Sequence, residues 1–348
     1  MTDAKIRIKN LYKVFGTDPK GAMEQVRHGV SKQDLLEKFS HVLGLRDINI
    51  DLPEKCISVI MGLSGSGKST LIRHINRLIE PTEGEVIIDD IDILGMSIEE
   101  LREFRRNKAS MVFQKFALFP HRTVLQNTAY GLTIQKIAEK EAIERSQHWI
   151  ERVGLSGFEN HYPAQLSGGM QQRVGLARAL TTDAEILLMD EAFSALDPLI
   201  RTDMQEILLD LQAELNKTIV FITHDLDEAL RIGDGITILR DGEIIQQGSP
   251  QDIVMKPADD YIADFIKDVN RSRVLQVRSI MVPTENGNGP KLDQNMPLED
   301  ALSQLSGRGV TEGCVVDGGG KVIGTIALAA AVEAIRRPER SSQELQYR

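Results

Sequence analysis

Cysteine is nearly missing from this sequence. The two that occur, Cys56 and Cys314, stand far apart without ligand-like neighbours. That excludes a disulfide framework and a thiolate metal site, and fits the core thiols of a cytosolic protein. Long apolar runs are missing too. The longest, Val322 to Val332, is about half of the ~20 residues a membrane-spanning helix requires. The opening Met1-Thr2-Asp3-Ala4-Lys5 carries no apolar targeting region. Any membrane role is therefore expected to run through another subunit. A basic excess is also lacking: the net charge is −10, which argues against nucleic acid as the main partner, since polyanion binding needs a basic face. No repeat of the solenoid kind is visible. What remains, 41% hydrophobic and 26% charged in 348 residues, is an ordinary globular composition with room for one large and one small domain.

One stretch organises the chain. Gly62-Leu63-Ser64-Gly65-Ser66-Gly67-Lys68-Ser69 fits the phosphate-loop pattern, with the apolar run Cys56–Met61 before it and Thr70-Leu71-Ile72 continuing as a helix. The glycines let successive N–H groups point into one concavity, and the helix N-terminus adds a positive dipole. Lys68 is expected on the β- and γ-phosphates of ATP, and the Ser69 hydroxyl on Mg²⁺.

Around that loop, strand and helix patterns alternate. Strands are expected at Lys5–Lys9, Leu45–Leu52, Val86–Ile88, Lys108–Phe113, Glu185–Met189 and Thr218–Ile222. Helices are expected at Ile98–Arg106, Ala138–Val153, Pro198–Leu215 and Asp225–Ile232. The alternation implies a mainly parallel α/β sheet. Residues 17–43 read as an inserted helical excursion, and about 115–180 as a helical subdomain. Near residue 270 the pattern breaks. Beyond the loop Thr284–Pro290, a small α+β module is expected (helix from Leu298, strands Gly313–Val316 and Val322–Ile326, helix Ala329–Ile335), followed by a charged tail from Arg336.

Further elements carry chemistry. The apolar strand Ile186–Met189 delivers Asp190 toward Mg²⁺ and Glu191 toward an attacking water. Leu166-Ser167-Gly168-Gly169 opens a helix, and two glycines at the start of an otherwise strong helix suit an anion better than a simple cap. With these residues the chain resembles the ATP-binding subunits of ABC transporters, whose fold combines a parallel-sheet core, an antiparallel β subdomain and a helical subdomain. Met170 departs from the glutamine usual at the fifth signature position. The resemblance implies a head-to-tail homodimer, in which Ser167, Gly168 and Gly169 of one subunit cap the γ-phosphate held by the other. It further implies that Gln114 is the switch glutamine at Mg²⁺ or water, that Asp197 lies in the loop crossing the interface, that His224 contacts the γ-phosphate, and that Phe15 stacks on adenine.

Narrower features, among them the 17–43 insertion, Asn76–Thr82, Phe116–His121 and Asp190–Arg201, resemble the ATPases of glycine betaine, proline betaine and choline importers. This implies ATP hydrolysis at the cytoplasmic face of the inner (plasma) membrane, peripheral to a polytopic permease fed by a periplasmic or extracellular solute-binding protein. Phe116, Leu118 and Phe119, taken as part of a helical segment Phe116–Leu132, are expected to form the permease-docking groove. The alternatives are an importer of another small solute and a soluble ABC ATPase outside transport. Residues 271–348 resemble a single cystathionine-β-synthase-type unit, regulatory or dimerising. Gly324-Thr325-Ile326-Ala327-Leu328 lacks that module's ribose-contacting pair, and Val315, Val322, Ile323 and Ile326 are expected as an exposed apolar face.

Overall fold

The computed structural model describes residues 4–336; Met1–Asp3 and most of the charged tail lie outside the described residues. The chain divides into two compact units, Met1–Gln247 and Gly248–Arg348. The division falls upstream of the boundary expected near residue 270. Helices Pro250–Met255 and Asp260–Ile266 belong to the second unit, and the Gln251 amide donates to the Val274 carbonyl at 3.3 Å.

Strands β1 (Ala4–Phe15), β2 (Val42–Pro53), β3 (Ile57–Met61), β4 (Glu83–Ile88), β5 (Ile91–Asp92), β6 (Ala109–Val112), β7 (Ile186–Asp190), β8 (Thr218–Thr223), β9 (Gly235–Arg240) and β10 (Glu243–Gly248) build two sheets. One has the order β2-β1-β4-β5, with β1 antiparallel to both neighbours. The other has the order β10-β9-β3-β8-β7-β6. Its central strands run parallel, with β3 between β8 and β9 and β7 between β6 and β8. Every residue of β3, β7 and β8 is buried, as covered parallel strands must be. The helix Lys68–Ile75 lies in the core shared by the two sheets. Its Leu71, Ile72 and Ile75 join Ile8, Ile48 and Ile50 from the antiparallel sheet and Ile60, Leu188 and Val220 from the parallel one. The phosphate loop is thus anchored at both ends in buried apolar structure.

The β9–β10 pair was not anticipated. Its turn, Asp241-Gly242, has both residues left-handed (φ 53° and 88°). Asp-Gly between apolar runs is the sequence signal for such a hairpin.

The helical subdomain comprises Val124–Thr128, Tyr130–Ile134, Glu139–Arg152 and Gly168–Thr181. The expected helix from Phe116 is instead a loop up to Thr123. Phe116 and Ala117 are both left-handed (φ 52° and 48°), which forbids helix there. Arg178 holds this loop, donating to the carbonyls of Ala117 and Phe116 at 2.7 and 3.1 Å. Buried Asn127 pins its far end, donating to the carbonyls of Phe119, Arg122 and Thr123 at 3.0–3.1 Å. Phe116, Leu118 and Phe119 are half-buried; the Phe119 ring meets Tyr130 edge-on at 4.6 Å.

In the second unit, β11 (Val282–Pro283), β12 (Lys291–Asp293), β13 (Glu312–Val316) and β14 (Val322–Ala327) form a sheet of order β11-β14-β13-β12. Helices Leu298–Gly307 and Leu328–Ile335 complete the α+β module. Of the four residues expected as an exposed apolar face, Val315 and Ile326 are buried within the unit, at 0% and 1% exposure, while Val322 and Ile323 are half-buried. Leu292, Leu298 and Leu305 are buried in the same unit. Cys314 is buried too, whereas Cys56 is only partly so.

Candidate nucleotide site

Four loops meet at the carboxyl ends of β3, β8, β7 and β6, which are consecutive neighbours in one sheet. Their pairing is level: Met61 with Thr223, Ile222 with Asp190, Met189 with Val112. Residues just past each strand therefore arrive side by side, although they are scattered over more than half of the first unit. This is where open parallel sheets bind ligands.

The phosphate loop needs its glycines for space as well as conformation. At Gly62 (φ 148°), a Cβ would sit 2.1 Å from the Leu239 carbonyl. At Gly67 (φ 103°), it would sit 2.7 Å from the Gly44 carbonyl. Lys68 folds back over the loop, donating to the Gly62 and Leu63 carbonyls at 2.9 and 3.1 Å. Burial lowers its pKa, while Glu191 and Asp190 act in the opposite sense. The Ser69 hydroxyl donates to Asp190 Oδ1 at 2.7 Å, and Arg73 holds Oδ2 at 3.0 Å. Asp190 is only 2% exposed; this pairing keeps a buried carboxylate compensated.

Glu191 sits in the left-handed region (φ 47°), a rare conformation for a glutamate. The Gln114 amide donates to it at 2.8 Å. The Lys68 ammonium stands 3.6 Å away and His224 Nδ1 3.7 Å away. The residues following all four strands thus converge on one carboxylate.

A cavity of about 390 Å³ opens over the loop. Phe15, Ser64, Gly65, Gly67, Lys68, Ser69, Thr70, Gln114 and Glu191, all singled out from the sequence, line it. Gly62, Leu63 and Ser66 shape the loop without lining the cavity; Leu63 is exposed and Ser66 buried. The Lys13 ammonium lies 4.8 Å over the Phe15 ring. Lys32, Val42, Leu43 and Gly44 also line the cavity and were not singled out beforehand. Their signal was weak, since they lie in or just after the excursion and belong to no motif.

Ser167, Gly168, Gly169 and Asp197 are not among the lining residues. Ser167 caps the helix Gly168–Thr181, its Oγ accepting from the Met170 N–H at 3.3 Å. A Cβ on Gly169 would meet Ile200 at 2.7 Å, so this glycine also permits close packing. Asp197 caps the helix Pro198–Leu215, accepting from the Ile200 N–H at 3.1 Å.

Ser69 and Asp190 present two hard oxygen donors side by side, the kind of set that holds Mg²⁺ when phosphate oxygens complete the shell. Among the described residues no group of three or more His, Cys, Asp or Glu is placed to hold a metal ion.

Comparison with known proteins agrees with this geometry. A sequence profile described as ABC transporter matches residues 45–194. The glycine betaine transport ATP-binding protein OpuAA of Bacillus subtilis (strain 168) is 50% identical over 95% of this chain and 78% of its own length. The glycine betaine/proline betaine transport system ATP-binding protein ProV of Escherichia coli (strain K12) is 49% identical over 96% of this chain and 84% of its own. Among solved structures, the bacterial ABC transporter cassette MJ0796, described as dimeric, superposes with a TM-score of 0.61 at 35% identity, over 70% of this chain and 98% of that one. With half of its residues shared along nearly its whole length, the chain belongs to the ATP-binding proteins of ABC transporters, within the group typified by the glycine betaine transport proteins.

Proposed function

We propose that this chain hydrolyses MgATP to energise uptake of a quaternary amine osmolyte (glycine betaine, proline betaine or choline) through a separate membrane permease. The observation that carries the catalytic part is the convergence of Gln114, Lys68 and His224 on Glu191, beside the Ser69–Asp190 pair. In this reading Phe15 stacks on adenine, while Gly62 to Thr70 wrap the phosphates with Lys68 upon them. Ser69, Asp190 and Gln114 would hold Mg²⁺, which would supply positive charge against the phosphate oxygens. Glu191 takes the proton of the attacking water, and His224 steadies the γ-phosphate.

Ser167, Gly168 and Gly169 lie outside the cavity of their own chain. That supports a head-to-tail homodimer in which they close the partner's site, with Asp197 in the crossing loop. The dimer sits on the cytoplasmic face of the plasma membrane, with Gln114 and the loop after it facing the permease; a solute-binding protein supplies the substrate. No described helix is long and apolar enough to cross a membrane, which fits a peripheral subunit. The glycine betaine and proline betaine parts of the substrate assignment rest on the relatives named above. The assignment is tested by reconstituting the chain with its permease and binding protein in liposomes. Glycine betaine, proline betaine or choline should stimulate ATPase activity and enter the lumen; stimulation by none of them overturns it.

A further inference from the structure

The excursion between Gly16 and His41 is a fixed piece of structure. Its helices, Met23–Arg27 and Lys32–Phe39, contribute Met23, Val26 and Leu35 to a small core closed by Val14 of β1 and Leu43 of β2. Polar contacts hold it further. Arg46 donates to the Val30 carbonyl at 2.7 Å while pairing with Glu243 at 2.9 Å. His41 Nε2 accepts from the Asp18 N–H at 3.2 Å. Ser31 caps the second helix, its Oγ accepting from the Asp34 N–H at 3.0 Å.

That cap places Lys32 in the first helical position. A cation there opposes the helix dipole, so helix stability does not account for it. Its ammonium instead reaches out of the excursion and donates to the Gly65 carbonyl, at the tip of the phosphate loop, at 2.9 Å. Lys32 is partly buried and lines the same cavity as Phe15 and Ser69. The basic side chains lining that cavity are Lys32 and Lys68; the acidic one is Glu191.

We propose that Lys32 is a second phosphate-binding cation of the nucleotide site, supplied by the excursion. Its ammonium exchanges the Gly65 carbonyl for the polyphosphate of the bound nucleotide. A mobile lysine stem carries a point charge suited to this, with no fixed fork to align. Lys32 then sets affinity without taking part in the proton transfer at Glu191. The inference rests on the cavity being the ATP site.

The test titrates ATP, ADP and AMP into the full chain and its Lys32→Met, Lys32→Glu and Lys32→Arg variants, with melting temperatures as a check on folding. Lys32→Met should weaken MgATP binding roughly three- to tenfold, the range of one partly solvated charge-assisted hydrogen bond. Lys32→Glu should weaken it more, and Lys32→Arg should stay near the parent. KM should rise with kcat nearly unchanged. The loss should shrink from ATP to ADP to AMP and as salt is added. Unchanged affinity in Lys32→Met and Lys32→Glu overturns the proposal, as does a Lys32→Arg variant as weak as Lys32→Met, or an equal loss for AMP and ATP. Each of these leaves Lys32 as a strap on Gly65. If the parent chain itself fails to bind ATP, the reading of the cavity has failed, which the titration of the parent reveals separately.

Discussion

The two units treat polar groups differently. In the first, charged and polar side chains are buried both at the site (Lys68, Asp190) and away from it (His74, Asn127, Glu228). In the second, no charged or polar side chain among the described residues falls in the buried class. Its interior is Ile253, Ile262, Leu292, Leu298, Leu305, Val315 and their like. Burying a charge is unfavourable unless every contact is supplied, so such groups persist where a reaction or a precise loop position depends on them. The first unit is built to hold a site. The buried residues of the second are almost wholly apolar.

The sharpest way to exploit this contrast is at Glu191. Glu191→Gln keeps the shape and the neighbours but removes the proton acceptor. Turnover should fall roughly 10²- to 10⁴-fold while ATP still binds, and gel filtration with ATP should show a stable dimer. Turnover near that of the parent would dissolve the contrast.

Lys68→Ala should act one step earlier. Loss of a buried cation on the phosphates should weaken MgATP binding roughly tenfold or more, read by titration, and activity should follow affinity.

A smaller effect concerns stability. His74 is fully buried; burial lowers its pKa to about 4, with the Thr70 carbonyl acting against the shift and Lys13 with it. The unfolded ring takes its proton near pH 6.5 and the folded ring near 4. Between these values the unfolded chain binds more protons, so stability rises with pH through that window. Acidification from about 6.5 to 4 should remove up to roughly 3 kcal/mol. Melting curves across this range should show the loss, and His74→Gln should flatten it. A parent with no pH dependence there would contradict the assignment.

The smallest expected change follows removal of the second unit. Truncation after Gln247 should leave ATP affinity nearly unaltered, because every residue lining the cavity precedes Gln247. A several-fold loss in the same titration would mean that the second unit supports the site.

Much of the site was legible because its residues are bound to local geometry. A phosphate loop needs glycines at set places between a strand and a helix. An apolar strand ending in Asp190-Glu191 delivers two carboxylates. Helix starts were equally readable at Pro198 and after Leu166-Ser167, although the capping roles of Asp197 and Ser167 came from the structure. What was misread depended on longer range. Phe116 and Ala117 belong to ordinary helix-forming types, yet Arg178, far along the chain, holds their carbonyls in a left-handed turn. Val315 and Ile326 have the alternation of a strand, but which face is covered depends on the helices packed against it. Lys32 belongs to no motif, and only folding of the excursion brings it to Gly65.

By itself, then, the sequence determined the local pattern: a glycine-rich loop running into a lysine, an apolar strand ending in two carboxylates, and the family these imply. Those features are short-range, since each needs only a few neighbouring residues in a set backbone conformation. The tertiary structure alone decided which loops share an edge, because strand order in a parallel sheet is not chain order. It set β3-β8-β7-β6 side by side, brought Gln114, Lys68 and His224 onto one carboxylate, and left Ser167 to Gly169 outside the cavity.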